Sequence, residues 1–178
     1  MLKTTILTIL LLLTAIFAQS RALDRLPPDP GEAGKMTILG IDSEGHGVRD
    51  DILIQVTRLI PDDPYARAGA LFWFAMQQEK FKVYLQNPNE SFEFFYPYFL
   101  ASMASARYSR RTGATDLISV ERRLVMLLNT RERFLINSNI DGIAHGRVIT
   151  HFSHYPDFVK KFDEKFQEFY EREKERQR

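Results

Sequence analysis

Apolar residues recur at helical spacing along much of the chain, and this spacing limits the possible folds more than any other feature. In residues 49–60, Ile52, Val56 and Leu59 lie at i, i+4 and i+7, on one helical face. Near the C-terminus, four phenylalanines share such a face: Phe158, Phe162, Phe166 and Phe169. No segment shows the strong period-two alternation of a half-buried strand. The sequence therefore predicts an all-α fold, a small bundle of four to five helices.

Start and stop signals give the predicted helices their limits. Asp63 can accept hydrogen bonds from free backbone amides, and Pro64 suits the first turn, so a second helix should begin there and end near Asn87. A third helix should cover residues 90–111, with a kink or a restart at Pro97. A fourth helix is predicted from Thr115 or Asp116 to about Asn137. A looser region at 139–155 follows, with a short strand or turn possible at 147–152. The last helix is predicted to begin at Pro156 and to run into a solvated, charged C-terminus.

Residues 1–22 have the organisation of a secretory signal peptide. Lys3 precedes an uncharged stretch from Thr4 to Ala18, about 15 residues rich in Ile and Leu. A membrane-spanning helix needs roughly 20 apolar residues, whereas the apolar region of a signal peptide needs about 7–15. Small residues at Ser20 and Ala22 favour cleavage after Ala22. We expect an exported protein, periplasmic or secreted; an uncleaved, short membrane anchor is the alternative.

The composition limits the kinds of site and partner that are expected for the mature chain. The sequence has no cysteine, which excludes a lipid-modified cysteine, disulfides and thiolate metal ligands. Without residues 1–22 the chain keeps 22 basic and 23 acidic residues. A net charge of −1 argues against a nucleic-acid partner, and no stable membrane span is expected after cleavage. The expected partner is an unidentified protein or small ligand.

The mature chain is predicted to have one domain. Residues 23–40 include LDRLPPDPGEAGK, whose prolines and glycines favour a flexible leader. Residues 41–178 are long enough to form a single helical domain with its own core. The Phe and Tyr residues at 72–74 and 92–99 are assigned to that core in preference to a ligand groove.

An acidic loop at residues 42–51 carries the clearest ligand pattern, within GIDSEGHGVRDDI. Oxygen or nitrogen donors fall at alternate positions, and glycines permit a sharp turn. The candidate metal ligands are Asp42, Glu44, His46, the carbonyl of Val48, and Asp50. Ca²⁺ is the expected ion, although an imidazole replaces an oxygen donor and Leu53 stands where a bidentate acid would be. The alternative is a plain turn in which Asp50 and Asp51 cap the next helix.

This loop resembles the calcium loops of EF-hands and of thrombospondin type 3 repeats. A wider stretch, from about Ala33 to Gln86, resembles a group of poorly characterised exported bacterial proteins in which a leader precedes a similar Val-Arg-Asp-Asp segment. The resemblance implies an exported helical protein of unknown activity. It supplies no catalytic residues.

Three histidines form a second candidate site. His145, His151 and His154 lie close together in sequence and could share a zinc-like ion. Their spacing matches no metalloprotease motif, because no Glu follows a His in the H-E-x-x-H manner. We therefore predict a non-enzymatic binding or structural protein with a weak divalent-cation loop. The alternative is a metal-dependent hydrolase that uses the three histidines.

Overall fold

The computed structural model describes residues 22–147 and 156–178, and the regular elements in these ranges are all helical. Residues 22–24 are helical, and a short 3-10 helix covers Gly31–Lys35. Seven α-helices follow, numbered α1 to α7: Asp50–Leu59, Pro64–Gln86, Phe92–Arg111, Ala114–Leu117, Val120–Leu127, Arg131–Ile143 and Pro156–Gln177. The all-α prediction is confirmed. The described ranges hold more helices than the four to five predicted.

Helix α2 is the centre of the bundle. It packs against α1, α3, α4, α6 and α7, and from Ala66 to Gln78 every residue is buried. Small side chains let its neighbours approach closely. A Cβ atom at Gly69 would lie 1.9 Å from Oγ1 of Thr112, which follows the end of α3. The long central helix therefore has no solvent-facing side over this stretch.

Aromatic side chains join α2 to α3 and α7. Phe72 is fully buried, and its ring packs against four others: Tyr108, Phe162, Phe166 and Phe169. Phe166 and Phe169 are themselves buried. Phe162, Phe166 and Phe169 of the predicted C-terminal face thus pack in or against the main core, as does most of the aromatic content assigned to it from the sequence. Phe158 packs instead against a smaller cluster formed by Leu100 and Ala104.

Helix start signals in the sequence work as predicted in α2. Oδ1 of Asp63 accepts hydrogen bonds from the backbone amides of Tyr65 and Ala66, each at 2.9 Å, and Pro64 occupies the first helical position. Helix α3 begins after Ser91, whose hydroxyl accepts from the amide of Phe94. Pro97 lies inside α3, and the helix continues through it without a restart.

The predicted single helix over residues 115–137 is wrong, because the chain forms three helices there. Ser119 and Thr130 accept hydrogen bonds from the amides of Arg122 and Arg133, so each hydroxyl starts a new helix. The last of the three continues to Ile143, beyond the predicted end at Asn137. The apolar spacing continues across both capping residues, and it therefore predicted one helix where two new helices begin.

The charged C-terminal run is only partly solvated, which corrects a second expectation. Glu173 and Arg176 are 2% and 8% exposed. Both lie on the face of α7 that packs against the rest of the bundle, so this end of the chain belongs to the folded domain.

The N-terminal predictions fall mostly outside the described residues. Residues 1–21 and 148–155 are not described, so the signal peptide and most of the possible short element at 147–152 stay predictions. Within the described ranges, no helix combines the length and apolar character needed to cross a membrane. The segment predicted as a leader contains the 3-10 helix and is held by Arg133, which donates to the carbonyls of Gly34, Thr37 and Ile38.

Candidate functional site

The acidic loop is closed by its own carboxylates. Oδ2 of Asp42 accepts from the amide of Gly47 at 2.7 Å, and Oδ1 accepts from the amide of His46 at 3.3 Å. Oδ1 of Asp50 accepts from the amide of Ser43 at 3.0 Å. Gly47 has a φ of 87°, a conformation that most side chains disfavour, so glycine permits this turn. The two aspartates therefore satisfy backbone amides of the loop.

Arg49 fixes the end of the loop to two other helices. Its side chain is fully buried. Nε lies 2.9 Å from Oδ1 of Asp51, and the two terminal nitrogens donate to the carbonyls of Met126 and Leu127. Its backbone amide donates to Oε1 of Gln78 on α2 at 3.0 Å. The loop is thus held between α2 and the end of α5.

His46 is buried beneath the loop. Its side chain is 4% exposed, and its ring centroid lies 6.1 Å from that of Phe169 on α7. Nδ1 accepts from the amide of Val48, which assigns the proton to Nε2, and Nε2 lies 3.2 Å from Oε2 of Glu44. The imidazole is therefore packed inside the loop, where it connects the amide of Val48 to the carboxylate of Glu44.

Glu44 links the loop to the C-terminal helix. Its Oε2 accepts from Arg176 at 2.7 Å. Arg176 also donates to the carbonyl of Arg25 at 2.9 Å and lies 3.3 Å from Oε1 of Glu173. The hydrogen bond from His46, and then the hydrogen bond and positive charge of Arg176, lower the pKa of Glu44 to about 2 against the opposing effect of burial. The Glu44 carboxylate is accordingly charged across the physiological pH range.

A pocket of about 260 Å³ lies between the loop and α2. We call it the loop pocket; its lining residues are Leu39, Gly40, Asp42, Gly45, Gly47, Gln78, Glu79 and Lys82. Gln78 is 7% exposed, and within residues 22–147 and 156–178 its Nε2 has no hydrogen-bond partner. Glu79 and Lys82 contribute opposite charges, with Nζ 3.8 Å from Oε2. A buried, unsatisfied donor beside groups of both signs makes this pocket a candidate site for a polar ligand.

The five predicted metal ligands do not converge on one point. Asp42 lines the loop pocket, whereas Glu44 lines another pocket beside Arg176. Val48 is fully buried, and Asp50 is 2% exposed. Among the described residues there is no group of three or more His, Asp and Glu side chains arranged to hold a metal. Calcium binding by the loop stays a prediction.

The histidine cluster is only partly described. His145 is exposed and lies in the turn after α6, where its amide donates to the carbonyl of Gly142. His151 and His154 fall outside the described residues. The hydrolase alternative also stays a prediction.

In comparisons with protein-family models, curated proteins and solved structures, nothing matches the chain. The resemblance to calcium loops and to exported bacterial proteins therefore stays a hypothesis, and the functional argument rests on the geometry of this chain alone.

Sequence reasoning missed several residues of this site. Gln78 and Lys82 lie on α2, and Arg176 lies in the charged C-terminal run. A signal for Gln78 was present, because Gln77 and Gln78 interrupt an apolar helix in which an unpaired polar group is costly. The sequence gave no such signal for Arg176, because it lies in the charged run EREKERQR, a composition that is typical of a solvated helix end.

Proposed function

We propose that the protein is an exported, non-enzymatic helical binding protein and that the loop pocket is its ligand site. One observation carries the proposal: Oε1 of the Gln78 side chain accepts from the backbone amide of Arg49, while its buried Nε2 finds no acceptor among the described residues. Leaving a buried donor unpaired costs about 1–3 kcal/mol. Nε2 itself is almost inaccessible, so the side chain of Gln78 must turn toward the pocket before an acceptor on a ligand can recover that cost.

The lining charges indicate the chemical class of the ligand. Lys82, joined by Nε2 once the side chain of Gln78 turns toward the pocket, can bind a carboxylate. Glu79 can bind an ammonium group, and the carboxylate oxygens of Asp42 keep lone pairs beyond those used by the loop amides. A volume of about 260 Å³ is small for a ligand site. The best match is a small zwitterion of amino-acid size.

Binding can be tested with free amino acids in a thermal-shift screen, followed by calorimetry on those that raise Tm. Gln78→Glu keeps the oxygen that accepts from Arg49 but replaces the donor by a negative oxygen. We expect it to weaken binding roughly tenfold or more. Lys82→Met should weaken binding too, and Lys165→Met, an exposed lysine on α7, is the matched control. Failure of every amino acid to bind, or binding unchanged in Gln78→Glu, would refute the site.

A weak divalent-cation site is the second candidate, favoured because the carboxylates of Asp42 and Glu79 line the same pocket. Ca²⁺ should then raise Tm at millimolar concentration, and Asp42→Asn with Asp50→Asn should abolish the shift. No shift in the wild-type chain would exclude a cation role for the loop.

Export has its own test. N-terminal sequencing of the protein recovered outside the cytoplasm should begin at Leu23. Retention of the chain in the cytoplasm would contradict export and leave the ligand proposal standing.

A further inference from the structure

A second pocket, with a volume of about 290 Å³, lies between α3 and α7. Its lining residues are Arg107, Tyr108 and Arg111 of α3 and Val159 and Asp163 of α7. We call it the α3–α7 pocket. It shares no lining residue with the loop pocket. Because all of its lining side chains except Val159 carry polar groups, its chemistry suits a polar or charged ligand.

The Tyr108 side chain forms a fixed wall of this pocket. Tyr108 is 6% exposed, and its ring centroid lies 4.9 Å from that of Phe166, in a stacked arrangement. Its hydroxyl donates to Oδ1 of Asp163. Burial, and then the hydrogen bond to Asp163 and the charge of that carboxylate, raise the pKa of Tyr108 well above its ordinary value of 10. The phenol therefore keeps its proton, and its hydrogen bond holds the Asp163 carboxylate at the pocket.

Two arginines give the pocket an excess of positive charge. Arg107 and Arg111 are four residues apart on α3, so they lie one turn apart on the same side of the helix. Like charges at this spacing are unfavourable. Arg111 forms no ion pair with any other described residue. With two positive groups and only Asp163 to oppose them, the pocket favours an anion.

The position of these arginines near the end of α3 is not enough to explain the pocket. Cations near a helix C-terminus are stabilised by the helix dipole, and Arg110 benefits from the same effect. Arg110 is exposed but does not line the pocket. Only Arg107 and Arg111 share a concave site with the Tyr108–Asp163 pair, and Arg110 is therefore a natural control for them.

We propose that the α3–α7 pocket binds a small phosphate monoester that carries a hydroxyl group, with its phosphate on Arg107 and Arg111 and its hydroxyl on Asp163. Guanidinium groups bind phosphate through paired hydrogen bonds, and a dianion offsets the charge of both arginines. An ionised carboxylate has about four lone-pair sites, so Asp163 can accept from a ligand hydroxyl as well as from Tyr108. This proposal does not depend on the loop pocket.

The volume limits the size of the ligand. Ligand pockets usually have volumes of about 300–1,000 Å³, and the α3–α7 pocket lies just below this range. The ligand is therefore of the size of glycerol 3-phosphate. Such a phosphate group can be free in solution or can belong to a lipid headgroup.

Isothermal titration calorimetry at constant ionic strength tests the site, with glycerol 3-phosphate and inorganic phosphate as probes. Both should bind saturably, and glycerol 3-phosphate should bind more tightly because it adds the hydroxyl contact. Arg111→Met should weaken binding of both probes roughly fivefold or more, and Arg107→Met with Arg111→Met should abolish it. Arg110→Met, the matched control, should bind both probes like the wild type. Circular dichroism should show the same helix content in all variants.

Replacing Asp163 separates its contact with the hydroxyl from its effect on charge. Asp163→Asn keeps an oxygen that can accept from Tyr108 but removes the negative charge. It should strengthen binding of inorganic phosphate several-fold and reduce the preference for glycerol 3-phosphate. A purely structural role of Asp163 predicts no such difference between the two probes.

Vesicles of phosphatidylcholine with and without phosphatidic acid separate the two sources of the phosphate group. Co-sedimentation that requires both phosphatidic acid and Arg111 would assign the pocket to a lipid headgroup, whereas binding of soluble glycerol 3-phosphate without co-sedimentation would assign it to a free ligand. The absence of saturable binding to every one of these probes would overturn the proposal. Equal weakening by Arg110→Met and Arg111→Met would overturn it too, because it would indicate general attraction to a basic surface.

Discussion

Nε of Arg67 donates to Oε2 of Glu173 at 2.7 Å, across 106 residues of sequence. Arg67 is fully buried at the start of α2, and Glu173 is buried near the end of α7. Arg67 also donates to the carbonyls of Ile60 and Pro61, at the end of α1, and to Gln177. One guanidinium group therefore joins three helices.

Removing the charge of Glu173 should strongly destabilise the fold. Glu173→Gln leaves the buried Arg67 without its carboxylate, and breaking a buried ion pair costs about 3–5 kcal/mol. Urea unfolding at neutral pH should show this loss in the free energy of unfolding. Glu175→Gln, an exposed neighbour, should change it by less than about 0.5 kcal/mol. Equal effects of the two variants would contradict the role of the Arg67–Glu173 pair.

Replacing Arg123 should have the opposite outcome. Arg123 is 2% exposed; it donates to Ser109 and lies over the ring of Trp73, but Nε and Nη2 have no partner in the part of the chain that the structure describes. Burial lowers its pKa to about 10. Arg123→Met removes the cost of a buried, unsatisfied cation, so the free energy of unfolding should be unchanged or higher by up to about 2 kcal/mol.

The control for Arg123→Met is Arg122→Met, which changes the exposed neighbour on the same helix. It should alter the free energy of unfolding by less than about 0.5 kcal/mol. A loss of more than about 1 kcal/mol in Arg123→Met alone would show that the contacts with Ser109 and Trp73 outweigh the cost of burial.

Glu44 should make stability dependent on acid pH. Its pKa falls from an ordinary value of 4.5 to about 2 in the folded chain, so the folded state favours the charged form. The resulting stabilisation is complete above pH 4.5 and is lost as pH falls toward 2.

Glu44→Gln tests this dependence. It should lower the free energy of unfolding at neutral pH by about 1 kcal/mol, a reduced figure because solvent screens a partly exposed carboxylate. In urea unfolding at a series of pH values, the difference from wild type should shrink as the pH falls below 4.5. Glu168→Gln, an exposed control on α7, should follow the wild type. A difference that is constant with pH would contradict the assignment.

Two glycine-to-alanine substitutions should change the free energy of unfolding in opposite directions. Gly69→Ala places a Cβ atom 1.9 Å from Oγ1 of Thr112 and 2.9 Å from its Cβ and Cγ2. Such overpacking typically costs about 1–3 kcal/mol. A Cβ atom at Gly142 in α6 meets no atom of the described residues within 4 Å. Gly142→Ala lowers the entropy of the unfolded chain and should therefore stabilise the protein by up to about 1 kcal/mol. Thermal unfolding of both variants gives the comparison, and a tolerated Gly69→Ala would contradict the close packing of α2 on Thr112.

Much of the fold could be predicted because the relevant interactions are local. Asp63 caps amides two and three residues away, and apolar residues at helical spacing define the buried faces of α1 and α7. The division of residues 114–143 into three helices was missed. Ser119 and Thr130 are residue types that commonly cap helices, but the apolar spacing continues across both of them and favours one helix.

The candidate site was predicted only in its location. The sequence identified residues 42–51 as a turn rich in possible ligands, but not what their side chains bind. Asp42 and Asp50 satisfy loop amides, and Glu44 pairs with Arg176, which lies 132 residues later in the chain. A pattern of acids in sequence cannot show which of them are already occupied by backbone or by a distant cation.

The sequence by itself determined an all-helical chain, most of its helix limits and the position of the acidic loop, because caps, prolines and apolar spacing act over a few residues. Only the tertiary structure decided which charges are buried and where the loop pocket lies. Those properties depend on groups that are distant in sequence and come together when α7 and the 3-10 segment pack onto the bundle.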